Sequence, residues 1–192
     1  DKIEGISKYR SCMGHSYSGK TIEKITEPND RSLKHYIIPY QGVSEVEVFA
    51  PFDGEITSVN IEQPRNDAQV WLTPNSGDRK KWNFIFFHIT LDEGFSKGSR
   101  VLAGERIGKA KINFGENFDI ALKQGGGFSG LRIAPAYDYF SEELLEDYKA
   151  RGASAQDFII PKEERDQNPC PIIPGTEGRD AMFPSGSSDE GV

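Results

Sequence analysis

The stretch WNFIFFHITL, Trp82 to Leu91, decides how this chain is read. It is apolar, aromatic and β-branched, and a single histidine, His88, interrupts it. Ten residues are too few for a membrane span, which needs about 18 to 20 apolar positions. Strand is the expected state, because aromatic and β-branched side chains fit a pleated surface. If the strand is regular, Phe86, His88 and Thr90 share one face, while Phe87 and Ile89 share the other.

Working outward, similar short runs lie on both sides. KHYIIPY, VEVFAP, GEITSVNI and AQVWLTP precede the stretch, and RVLAGERIGKA and NFDIALK follow it. Turn signals separate them, notably Asp53-Gly54, Asn75-Ser76-Gly77, Lys97-Gly98 and Ala103-Gly104. Strands at this spacing, with no helical period between them, predict a mainly β domain, an antiparallel barrel or sandwich over 35–135. Before it, residues 1–34 read as an irregular N-terminal arm packed on that core. After it, 136–170 read as a short helical extension. SEELLEDYKARG has Ser141 as N-cap, acids in the first turn, Lys149 and Arg151 at the end and Gly152 as the stop. Leu144, Leu145 and Tyr148 form the face expected to pack on the barrel. Ser154 with Asp157 marks a second short start, closed by Pro161. From 171 to 192 Pro, Gly, Ser and Asp dominate, and a flexible tail is expected.

The chain has 192 residues and a formal net charge of −7. That balance, without any Lys/Arg stripe, argues against nucleic acid as a partner and for a solvated monomer. No run is long enough to span a membrane as a helix. A chain that opens on Asp1 is expected to have lost an upstream segment. Cys12 and Cys170 are the two cysteines. They form either a disulfide joining both ends of the chain or two separate thiols. Their polar contexts favour the disulfide, hence an oxidising compartment.

VFAPFDGEITSV, FHITLDEGFSKGSRVLAGERIGKA and NFDIALK together resemble the catalytic domain of the lysostaphin-like (LytM-type) zinc endopeptidases, built on the duplicated hybrid motif. The glycine pattern is shared with biotinyl and lipoyl carrier domains. The resemblance implies a secreted or cell-envelope protein that acts on or binds a cell-wall or other extracellular polymer or peptide, with zinc as cofactor. Residue by residue, His35 stands at the first ligand position and Pro39 where the family has its ligand aspartate. His88 stands at the transition-state histidine. The His-x-His pair is matched by Asn117 and Asp119, so the active site is degenerate. Asp119 retains a zinc donor, whereas the Asn117 amide has no proton to titrate and is left as a substrate-binding candidate.

The third histidine, His15, is a candidate to complete a site of His15, His35 and Asp119 around His88. Arg31 and Lys34, next to His35 in sequence, are candidates for holding an anionic polymer. The competing reading of His88 is a hydrogen-bonded core histidine. The competing reading of the whole protein is a non-enzymatic binding or scaffolding module.

Overall fold

A computed structural model describes residues 2–75, 82–112, 118–125, 130–184 and 191–192. Ten strands form one antiparallel sheet: β1 Ile3–Ile6, β2 His35–Pro39, β3 Glu45–Phe49, β4 Gly54–Glu62, β5 Asp67–Pro74, β6 Trp82–Leu91, β7 Arg100–Val101, β8 Arg106–Lys111, β9 Phe118–Gly125 and β10 Leu131–Ala134. The main path runs β1-β2-β9-β6-β5-β4-β7, with β8 joining β3 to β6 and β10 lying beside β9. Among the described residues the path does not close, so the mainly β expectation holds as an open sheet. Eight of the ten strands were marked by their runs, one run supplying both β7 and β8. The four-residue β1 and β10 carried no comparable signal.

The chain divides into two compact units. One comprises Asp1–Glu4 and Ile38–Leu131, the other Gly5–Ile37 and Arg132–Val192. Residues 5–34 of the expected arm and the whole helical extension thus belong to the same unit.

In the first unit, period-2 burial explains most strands. Val46 and Val48 of β3 are buried between outward Glu45 and Glu47, and Ala68, Val70 and Leu72 of β5 are buried in the same rhythm. β6 differs, because Phe84, Ile85, Phe86 and Phe87 are all buried. It lies centrally, paired with β5 on one side and with β9 and β8 on the other. Both its faces are covered, which is why its apolar run is continuous rather than alternating. The Gly98 and Gly104 turns adopt φ of 94° and 75° and donate to the Ile56 and Ala50 carbonyls. Gly108 of β8 lies so close to β6 that an added Cβ would fall 2.3 Å from the Thr90 carbonyl oxygen. Gly108→Ala is therefore expected to lower stability by roughly 1–3 kcal/mol through forced strand separation. A urea midpoint equal to that of the native chain would contradict this register.

In the second unit the helix signals resolve as α1 Glu142–Ala150 and α2 Lys162–Gln167. Ser141 Oγ accepts from the Leu144 amide, and Gly152 takes φ of 90° after the last turn. Ser154 and Asp157 form the reciprocal capping box of a short 3-10 turn, Ala155–Phe158. Pro161, expected as a stop, is also the N-cap of α2. The face of α1 is half-buried, and the Tyr148 ring lies edge-on to Tyr137 and Phe158, 5.3 Å from each. Its packing partners are thus aromatic rings of its own unit, where the barrel had been expected.

Cys12 and Cys170 form the expected disulfide. Phe183 packs with it, the Ile172 side chain borders it, and Ala181 is fully buried. Part of the expected tail thus packs into the second unit, because Ala181 and Phe183 have a core to enter. The flexible-tail expectation for 185–190 falls outside the described residues.

Candidate metal centre

His88 sits where β6 gains a residue. Val70 pairs with Phe86 and Ala68 with Ile89, so two steps along β5 face three along β6. The additional residue is absorbed by a bulge at Phe87-His88, where His88 adopts φ of 60°. A bulge re-aims the side chains around it, and here it overturns the expected parity. Phe86 and Ile89 both fall on the face of Ala68 and Val70. Phe87 pairs with Asp119 on the opposite face, and His88 reaches that side as well.

Four charged groups surround the imidazole. Glu62 and Asp67 close the β4–β5 hairpin as directly opposed residues. The Glu62 Oε2 lies 3.0 Å and the Asp67 Oδ2 3.5 Å from His88 Nδ1. On the other edge of the ring, Asp119 Oδ1 lies 3.8 Å from Nε2. Arg65, in the hairpin turn, places Nη2 2.8 Å from Nδ1 and Nε 3.4 Å from Asp67 Oδ2. Asp119 is buried, while His88 and Asp67 are 18% and 15% exposed, enough for an ion to enter from water.

The groups that crowd Nδ1 are of opposite kinds, a guanidinium that can only donate and a carboxylate that can only accept. The same Arg65 Nη2 also lies 3.3 Å from Nε2, so it faces both ring nitrogens. Glu62 Oε2 and Asp67 Oδ1 are both buried without a hydrogen-bond partner. Like charges directly opposed on a hairpin are themselves unfavourable.

These groups could hold a metal ion. Glu62, Asp67 and His88 each offer a ligand atom, and all three lie within 4.8 Å of one another. Bonds of about 2.0–2.2 Å place adjacent ligand atoms roughly 3.0–3.5 Å apart, the spacing around Nδ1 here. Asp119 stands on the other edge of the ring at ion-pair distance, 3.8 Å from Nε2. A histidine that ligates through one nitrogen usually turns its other N–H to a carboxylate, which holds the tautomer.

The remaining sequence candidates are placed otherwise. His35 is 1% exposed, and its Nδ1–H donates to the Ser7 carbonyl at 3.0 Å while Nε2 accepts from the Ala136 amide at 3.3 Å. Both nitrogens are spent, so His35 has no lone pair for a metal, which corrects its assignment as a ligand. Burial depresses its pKa to about 4, only partly countered by the Ser7 bond. His15 Nδ1 donates to the Ser16 carbonyl at 2.7 Å and, like His35, belongs to the second unit. The expected cluster of His35 with His88 and Asp119 is thus reduced to His88 and Asp119. Asp119 itself stands 3.8 Å from Nε2, and the carboxylates that could hold an ion with His88 are Glu62 and Asp67.

Arg31 is buried and bonded to Glu27, Asp30 and Asp166 at 2.9, 2.7 and 2.8 Å. Its fork is committed to an internal ion-pair network instead of a polymer. Lys34 is also buried, its ammonium 4.7 Å from the centre of the Tyr17 ring and 5.9 Å from that of Tyr36. Neither presents a charge at the surface. Asn117 lies outside the described residues.

Glu62, Arg65 and Asp67 were missed. A signal existed: EQPRND places two acids at the ends of a Pro/Asn turn, where a hairpin sets them face to face. Compared with known proteins, the chain matches no family model and no curated sequence.

Proposed function

We propose that this protein is a binding module of the secreted or cell-envelope space, whose His88 centre holds a divalent cation, zinc by donor set, and engages an extracellular polymer through it. The observation that carries this reading is the convergence of the Glu62 and Asp67 oxygens on His88 Nδ1, backed by Asp119. One imidazole and two carboxylates suit a borderline cation such as zinc. The resemblance to the lysostaphin-like domain supports the polymer as partner. The disulfide supports an oxidising location. Among the described residues no helix is long and apolar enough to cross a membrane. Binding is favoured over hydrolysis because His35 has no free lone pair and Pro39 offers no donor, at the two positions where the peptidases bind zinc.

The test is calorimetric titration of chelator-stripped protein with zinc, manganese and calcium. One equivalent of zinc is expected to bind, and His88→Gln or Asp67→Asn to abolish it while the unfolding midpoint stays close to native. Asp119→Asn is expected to weaken binding roughly 10- to 100-fold, the usual effect of losing a carboxylate behind a ligand histidine. Absence of binding at millimolar zinc would overturn the reading.

A further inference from the structure

Resting on the cation-binding reading, we propose that Arg65 is the resident cation of the centre: a divalent ion binds by displacing its guanidinium, and Arg65 thereby sets the preference for divalent over monovalent ions. Its Nη2 is at hydrogen-bond distance from Nδ1, the atom an incoming ion must take. Its Nε reaches the Asp67 oxygen that would be a second ligand. The guanidinium and the ion therefore compete for the same atoms.

Charge decides which competitor wins. Glu62, Asp67 and Asp119 bring three formal negative charges, and Arg65 returns one, so the filled centre still carries two. A monovalent ion that replaces Arg65 leaves this total unchanged and forfeits the guanidinium contacts to the ring nitrogens, so it gains nothing. A divalent ion lowers the residual charge and also supplies a partner to Glu62 Oε2, which is buried without a hydrogen bond 3.0 Å from Nδ1. Displacement requires no rearrangement of the sheet. Arg65 projects from the β4–β5 turn and its side chain is already 39% exposed, so the guanidinium can move into water. A side chain that occupies the site most of the time lowers apparent affinity by the fraction of time it is away.

The experiment compares zinc binding to the full native chain, to Arg65→Gln and to Arg65→Lys, and follows the Arg65 Nε–H resonance by NMR. Arg65→Gln is expected to bind zinc roughly 10- to 100-fold more tightly, for a guanidinium in place 90–99% of the time. Only in Arg65→Gln should potassium chloride, exchanged for tetramethylammonium chloride at equal ionic strength, weaken zinc binding. Arg65→Lys keeps the charge without the planar fork and should fall between. In the native chain, saturating zinc should shift the Nε–H resonance as the Asp67 contact is lost. Zinc binding to the native chain with that resonance unmoved, or with no tightening in Arg65→Gln, overturns the role of Arg65 and leaves the metal centre standing. Failure of both proteins to bind zinc removes the centre itself, and this inference with it.

Discussion

Replacing Cys12 and Cys170 together by alanine is expected to lower the unfolding free energy by about 5 kcal/mol, the largest effect of any substitution proposed for this chain. The two residues are 158 apart in sequence, so the bond closes nearly the whole chain into one loop. In the chain-entropy account the denatured ensemble loses freedom in proportion to the logarithm of that length. Removing the bond gives this freedom back. The loss falls on a unit in which the N-terminal residues and the extension are otherwise joined by such contacts as Arg165 to the Arg10 carbonyl and Phe183 to the Gly14 carbonyl. Urea unfolding of oxidised native chain against the double variant measures it. A difference below about 1 kcal/mol would mean that the denatured chain is held compact by other means.

Acidification is expected to destabilise the fold through His35, by about 3 kcal/mol between neutral pH and pH 4. In the fold its pKa is about 4, against 6.5 for the free side chain. Between these values the unfolded chain holds a proton that the folded chain excludes, so stability falls as pH falls through this window. Every tenfold loss of proton affinity on folding is worth about 1.4 kcal/mol, and full burial leaves little solvent to screen it. The proton has nowhere to go: Ser7 O and the Ala136 amide occupy the two nitrogens, and the neighbouring rings are Tyr9 and Tyr137. Unfolding free energies at pH 7, 5.5 and 4 for the native chain and for His35→Gln test this. The variant should be less stable at pH 7 and lose less on acidification. An equal pH slope in both would assign the acid sensitivity elsewhere.

Elements whose signals are local were legible. VEVFA, AQVWLTP and WNFIFFHITL became strands because the period of their apolar residues, or their lack of one in β6, reports how many faces are buried. Ser141, Gly152 and the Ser154–Asp157 pair marked helix ends because a cap is a bond between near neighbours in sequence. The disulfide was legible for a different reason: with two cysteines only one pairing exists.

The centre was half legible. His88 and Asp119 were named, and they meet. Their partners were misassigned because a resemblance carries positions and not the fate of each lone pair. The resemblance puts a ligand at His35, and only the folded chain shows its two nitrogens taken by backbone 28 and 101 residues away. Arg31 and Lys34 read as candidates for holding an anionic polymer, and tertiary packing buries them against acids and tyrosine rings. Parity along β6 was a sound argument for a regular strand, and the bulge at His88 broke it. A bulge is set by how two strands with unequal residue counts align, a quantity neither strand contains alone. The sequence by itself therefore determined the elements, their ends and the disulfide, because these rest on periodicity, capping and a unique pairing. Tertiary structure alone decided which carboxylates meet His88, because the fourth group, Arg65, and the acids Glu62 and Asp67 arrive on a separate hairpin whose register sets their distance.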